Sequence, residues 1–341
     1  VSLSSFTSTT MLSIQAPAAV VMVRPHRFFP NPDTAGDNAF QRTGNASSDA
    51  QRRELAIAAR DEVTAAAEAL SAAGVRVHLF DDDGAHNTPD SAFPNNWFST
   101  HAGGHVALYP MHNANRRRER RTDIVDLLKS EYRVQDVIDY SGLEHDDIFL
   151  EGTGAMVLDH VARIAYTARS RRANPVALER FCTHFNFEPM CFDTADENGR
   201  PVYHTNVMMS IATAFALVGF DLISDARRRD EIRQRLTDSG RSVIALDAAQ
   251  IASFAGNALE LSGRDGRVLA LSRRAFDSLT LRQRKLIERS AQLLPLDVPT
   301  IELAGGSVRC MLAGIHLARR ERPLLPSLPC VEPVAAFDGL L

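Results

Sequence analysis

Four polar residues recur at one interval along this chain: Glu151, His204, Asn257 and Cys310 follow one another at a spacing of 53 residues. Asn96 stands 55 residues ahead of Glu151. Each lies among apolar neighbours, as in Phe149-Leu150-Glu151 and Cys310-Met311-Leu312, where a strand is expected to begin. A fixed period of this size denotes an array, a propeller or a solenoid. In a closed array equivalent positions converge on the central axis. Asn96, Glu151, His204, Asn257 and Cys310 are therefore expected to point into one pocket.

The stretches between these residues share an order of strand, turn, strand, helix, strand. The first unit reads as strands 97–100 and 106–110 about Gly103-Gly104, a helix over 115–132 and a strand over 134–139. The second has strands 156–158 and 161–168, a helix from Asn174 with Pro175 at its first position, and a strand over 189–192. The third has strands 206–210 and 214–220, a helix over 225–239 and a strand over 242–246. The fourth has strands 259–262 and 268–272, a helix over 280–291 and a strand over 300–303.

A fifth unit starts at Cys310, and only the N-terminal part of the chain is left to complete it. There a strand over 19–23 leads to a helix capped by Ser48 or Asp49, with Leu55, Ala59, Val63, Ala66 and Leu70 on one face. Gly74 ends that helix, and a strand follows over 75–80. Such closure joins the two ends of the chain and removes exposed sheet edges. The expected architecture is one α/β catalytic domain over 19–322, a five-bladed, pseudo-fivefold propeller. Residues 1–18 read as a flexible extension in which Met11 is a candidate start, and 323–341 as a Pro-rich tail.

Composition excludes several classes of function. Of 341 residues, 45% are apolar and 23% charged, the balance of a soluble globular protein. A net charge of −4 gives no pull toward nucleic acid or an anionic membrane. No stretch is long and apolar enough to span a bilayer. Cys182, Cys191, Cys310 and Cys330 form no C-x-x-C pair, and are expected as reduced thiols in a cytoplasmic protein. Oligomeric state stays open.

Among these thiols Cys310 stands out. It follows Gly305-Gly306, where the backbone can turn tightly or approach another group. A buried, inert cysteine is the commoner case. A His and a carboxylate at equivalent repeat positions change that reading, because together they can generate a thiolate nucleophile.

Leu150-Glu151-Gly152, His204-x-Asn206 and Gly305-Gly306-Ser307-Val308-Arg309-Cys310-Met311 resemble the guanidino-group-modifying enzymes: arginine deiminase, dimethylarginine dimethylaminohydrolase and the amidinotransferases. The resemblance implies the pentein fold, a five-bladed α/β propeller. It implies Cys310 as nucleophile, His204 as general acid and base, and Glu151 as the carboxylate that orients substrate and His204. It calls for no metal and no cofactor. A non-catalytic pentein, like the ribosome anti-association factor of this fold, would lack this set.

Two positions depart from the deiminase pattern. Asn95-Asn96 stands where deiminases carry Arg-Asp, and His204-Thr205-Asn206 where they carry His-x-Asp. A neutral amide offers both donor and acceptor, which suits a ureido group better than a guanidinium. Together with Asn38, Phe40, Gln41 and the Arg-Cys-Met ending, this is most similar to the citrulline-utilisation hydrolases. The implied reaction is attack of Cys310 on the ureido carbon, release of ornithine and hydrolysis of an S-carbamoyl enzyme to ammonia and carbon dioxide. A deiminase, a dihydrolase or an amidinotransferase acting on a guanidino compound is the alternative.

The resemblance also suggests Arg171, and Arg116 or Arg117, as the grip on the substrate α-carboxylate, since Arg pairs bidentately with carboxylates. Trp97 is expected to wall the pocket beside Asn96, and residues 81–90 to form an acidic flap. His101-x-x-x-His105 has metal-like spacing, but its Gly-Gly centre reads as a hairpin turn.

Overall fold

The computed structural model describes residues 15–42 and 48–320. In chain order, β1 (Ala19–Pro25), α1 (Asp49–Ala72) and β2 (Arg76–Asp82) open the fold. Next come β3 (Phe98–His101), β4 (His105–Leu108), α2 (Thr122–Glu131) and β5 (Asp136–Asp139). A one-turn α3 (Gly152–Ala155) precedes β6 (Met156–Asp159), β7 (Ile164–Ala168), α4 (Pro175–Phe185) and β8 (Glu188–Phe192). The third unit is β9 (Met209–Ile211), β10 (Phe215–Val218), α5 (Ala226–Asp238) and β11 (Ser242–Ala245). Then α6 (Ala248–Ala252) leads to β12 (Leu259–Gly263), β13 (Gly266–Ser272), α7 (Arg273–Ser278), α8 (Leu281–Ile287) and β14 (Gln292–Leu296). A last helical turn, α9 (Val308–Met311), precedes β15 (Ala313–Gly314).

These strands form five three-stranded sheets, and each sheet repeats one topology: the first strand pairs antiparallel with the second, the second parallel with the third. The fifth sheet has the order β15-β1-β2, so the C-terminal strand is completed by the N-terminal ones. The chain closes as its spacing requires. Burial shows which edge faces the axis. All residues of β3, β6 and β9 are buried, whereas the outer strands β5 and β11 alternate with exposed positions. α1 packs on the fifth sheet through Ala59, Val63, Ala66 and Leu70, and Ser48 caps it in a reciprocal capping box with Gln51. Leu55 lies only part-buried.

The structure moves several expected boundaries. Helix 115–132 is a 3-10 turn over Arg116–Glu119 followed, after extended backbone at Arg120 and Arg121, by α2. Arg116 pairs with Glu119 within the 3-10 turn, and Arg120 turns from extended backbone to Glu144. The expected strand over 300–303 is a 3-10 turn, Ile301–Ala304, and the pairing strand is β14. β14 contains Pro295 and survives it because it is an edge strand with one side unpaired. Residues 15–18 lie against the fold, with Ser262 donating to the carbonyls of Ala16 and Pro17. The remainder of the expected extension and the tail lie outside the described residues, as does Cys330. No described helix is long and apolar enough to cross a membrane.

Candidate active site

The repeat positions come together at one end of the axis, but not at the starts of strands. Each first strand is preceded by a tight turn, and the polar residue sits on it. Asn96 ends the 3-10 turn Pro94–Asn96 before β3. Glu151 caps α3, His204 caps the 3-10 turn Thr205–Val207, and Cys310 lies within α9. These turns swing the side chain from the sheet face into the centre, and glycines make room. A Cβ on Gly154 would stand 2.2 Å from the Asn96 amide and 2.9 Å from His204 Nδ1. One on Gly306 would stand 2.7 Å from the Phe93 ring.

Cys310 Sγ accepts from two amides, Asn206 Nδ2 at 3.2 Å and Asn257 Nδ2 at 3.3 Å. Both bonds strengthen as negative charge grows on sulfur. Asn257 Oδ1 in turn accepts from the Arg309 N–H, fixing the turn that carries Cys310. His204 lines the same cavity as Cys310, and its Nε2 bonds Glu151 Oε2 at 2.8 Å. Burial lowers the His204 pKa against the opposing pull of Glu151. Glu151 is fully buried behind His204 and also accepts from the His112 N–H at 3.0 Å. Burial disfavours its anion, but Arg172, His204 and Arg116 together hold its pKa far below the usual carboxylate range.

Two buried arginines frame the pocket. Arg116 forks onto Glu119 at 2.8 and 2.9 Å and lies 3.5 Å from Glu151 and 3.6 Å from Asp90. Arg172 forks onto Asp37 and lies 3.6 Å from Glu151. Asp90 lines the cavity and accepts from Asn31 Nδ2 at 2.8 Å. Burial raises both Asp90 and Glu119 against the pull of Arg116. The pocket measures about 10 Å³, room for roughly one water, under a roof that includes Thr34 and Asn38.

Several expected binding residues change role. Arg171 is exposed, and its neighbour Arg172 is the one buried at the site. Backbone alternation at the Ser170 turn decides between them, and two adjacent arginines carry no sequence signal for it. Arg116 lines the cavity, whereas Arg117 is spent on the carbonyls of Met111 and His112, bracing the segment that donates to Glu151. Trp97 packs against Phe98 in the core and does not wall the pocket. Asn38 lines it, but its amide is used on Ala304 O and on the N–H groups of Phe40 and Gln41, tying the roof to the loop before Cys310. Asn96, with its amide oxygen toward Arg116, accepts from both terminal guanidinium nitrogens at 3.1 Å and donates to Asn95 Oδ1 at 3.0 Å.

The expected acidic flap is solvated only in part: Asp81, Asp83 and 85–87 are exposed, whereas Thr88, Pro89 and Asp90 are buried, which brings Asp90 inside. His101 and His105 face each other across the β3–β4 hairpin, one bonded to Ser99 and the other to Asp136. Cys182 and Cys191 are free thiols remote from this set.

A family model described as N,N dimethylarginine dimethylhydrolase, eukaryotic, matches residues 24–317. The chain belongs to this family. Its members share the guanidino-modifying pentein fold seen here. No curated protein matches the sequence significantly. Among solved structures, the N-terminal domain of ArgZ, an arginine dihydrolase of the cyanobacterial ornithine–ammonia cycle bound to substrate, superposes with a TM-score of 0.66 at 15% identity. That match covers 87% of this chain and 97% of the other. Unliganded AgrE gives 0.67 at 17% identity, over 89% of this chain and 40% of that one. DDAH from Pseudomonas aeruginosa, complexed with citrulline, gives 0.57 at 13% identity, over 89% and 100%.

Proposed function

We propose that this pentein hydrolyses the terminal C–N bonds of an arginine-type amino acid in two rounds, as a dihydrolase. One observation carries the reading: four carboxylates, Glu151, Asp90, Glu119 and Asp37, surround only two guanidinium groups, Arg116 and Arg172. His204, its pKa lowered, adds no cation at neutral pH. Burial raises the pKa of Asp90 and Glu119, and a cationic substrate beside them favours their charged forms. The sequence pattern, with its neutral amides at Asn96 and Asn206, favours citrulline. A dihydrolase uses both features, since its first round converts a guanidinium to a ureido group and its second consumes that group.

In the first round His204 takes the Cys310 thiol proton as the sulfur attacks the guanidinium carbon, and passes it to the amino group that leaves as ammonia. His204 then takes a proton from water, which attacks the covalent intermediate and restores the thiolate with a ureido product. In the second round the thiolate attacks the ureido carbon and the side-chain amine leaves as ornithine. Water cleaves the S-carbamoyl enzyme, and the carbamate decomposes to ammonia and carbon dioxide. Asn206 Oδ1, buried and without a partner, is placed to accept a substrate N–H. Glu151 keeps His204 oriented and compensates positive charge on it. Because the pocket holds about one water, entry of an amino acid requires the roof over 31–42 to shift and Asp37 to yield Arg172 to the substrate α-carboxylate.

The relatives' activities, a dimethylarginine dimethylhydrolase and an arginine dihydrolase, support a guanidino substrate. The experiment is a product balance on arginine, N,N-dimethylarginine and citrulline. The dihydrolase reading expects ornithine from arginine with two ammonia per turnover, and turnover of citrulline at a comparable rate. Ornithine from citrulline alone would return the assignment to a citrulline hydrolase. Dimethylamine release from dimethylarginine, with arginine inert, would assign a dimethylarginine hydrolase.

A further inference from the structure

A second cavity lies farther along the axis, beyond Cys310. All five inner strands wall it, through Ser99, Leu158, Ser210, Leu259 and Gly314. It measures about 40 Å³, room for roughly three water-sized atoms. Gln15 reaches in from the N-terminal segment to close it. Its Nε2 donates to the carbonyls of Leu158 and Ile211, both at 3.0 Å, and its Oε1 accepts from the His160 N–H at 2.8 Å.

Two side chains at this cavity have hydrogen-bonding capacity to spare. Arg309 precedes the nucleophile, and its guanidinium lines the cavity. One nitrogen donates to Leu312 O at 2.8 Å, and no carboxylate among the described residues lies within 4.0 Å. Burial pushes its pKa down to about 10, so it remains a cation at neutral pH. His160 is 6% exposed, stacks on His316 at 3.8 Å, and its Nδ1 has no partner. The charged and titratable groups that act on His160 are His316, His101, Arg163 and Arg309, with no carboxylate among them. The adjacent Asp159 is already committed to Arg241, at 2.7 and 3.0 Å.

Arg309 is part-buried, and a guanidinium drawn out of water without a counter-charge is costly. Here it faces a space of ionic size beside a second N–H donor. We propose that this axial cavity is a binding site for a halide-sized monoanion, held by the Arg309 guanidinium and His160 Nδ1–H and sealed by Gln15. The seat is joined to the nucleophile turn, because the backbone N–H of Arg309 bonds Asn257, and Asn257 bonds Cys310.

The test compares thermal unfolding of the full chain in sodium bromide and in sodium gluconate at equal ionic strength. Bromide should raise the wild-type midpoint saturably, by roughly 2 °C or more once it exceeds its dissociation constant tenfold. Arg309→Met should lose the dependence. If that variant does not fold, His160→Phe, which keeps the ring volume and removes the donor, should weaken it. Crystals grown in bromide should show anomalous density in the cavity. Identical wild-type curves in the two salts, an equal bromide response in either variant, or water alone in the cavity would overturn the proposal.

Discussion

Asn206 donates from Nδ2 to Cys310 Sγ at 3.2 Å, while its own Oδ1, buried at the same spot, has no partner in the protein. One amide thus steadies the Cys310 sulfur and keeps an acceptor in reserve. Asn206→Asp would replace the donor with a carboxylate oxygen facing a developing thiolate. Loss of a hydrogen bond to a charged group costs about 1.5–3 kcal/mol, so kcat/KM should fall by at least about tenfold on both arginine and citrulline. A selective gain toward arginine in steady-state kinetics would contradict this role.

Asn96 behaves differently. Its amide oxygen already accepts from Arg116, and the buried Asn95 Nδ2 has no partner. Asn96→Asp should keep the Arg116 contact and gain a donor if the Asn95 amide turns over. The variant should fold, bind arginine more tightly and lose at least about tenfold in kcat/KM on citrulline. Kinetics on both substrates, with a denaturation curve, decide it. An unchanged citrulline rate would sink the idea.

Arg172 and Arg171 offer an internal control. Arg172→Met leaves Glu151 and Asp37 short of a partner, and breaking such buried pairs costs about 3–5 kcal/mol. Arg171→Met, on an exposed side chain, should stay within about 0.5 kcal/mol of wild type. Urea denaturation separates the two. Equal effects would mean that the wrong arginine has been placed in the site.

Gly154→Ala should damage catalysis beyond its effect on the fold. The added methyl meets both Asn96 and His204 Nδ1, and overpacking of this kind costs about 1–3 kcal/mol. Displacing His204 by a fraction of an ångström should lower kcat by about tenfold or more. A variant with wild-type kcat would show that His204 needs no such seat.

His101 sets an acid-side stability term. Packed against Phe181, Phe185 and Phe187, its burial holds its pKa well below the ordinary 6.5. Between 6.5 and that lower value the unfolded chain binds a proton that the folded chain does not. Stability therefore falls as pH drops through this window. His101→Phe removes the proton from both states. Its stability relative to wild type should rise by up to about 1.4 kcal/mol per pH unit as pH falls below 6.5. A pH-independent difference between the two denaturation curves would rule the term out.

Much of this was legible in the chain. The 53-residue interval foretells the five sheets, closure by the N-terminal strands, and the meeting of Glu151, His204 and Cys310, because equivalent positions of a closed array must share its axis. What stayed hidden depended on partners distant in sequence. Asp90 reads as part of a wet acidic loop, since nothing local reveals that Arg116 comes within 3.6 Å of it. The free amides imagined at Asn96 are taken up by Arg116 and Asn95. The one-turn helices that carry the polar residues are too short to leave a periodic pattern, so they pass for the starts of strands.

The central claim is that Cys310 is the nucleophile of a guanidino hydrolase, and the most direct measurement is intact and peptide mass spectrometry of arginine-treated His204→Ala. Without His204 to activate water, hydrolysis should stall after attack. A substrate-derived adduct is then expected on the peptide that carries Cys310 and disappears in the added Cys310→Ser variant. An adduct on Cys182, Cys191 or Cys330, or ammonia release that persists in Cys310→Ser, would contradict the account.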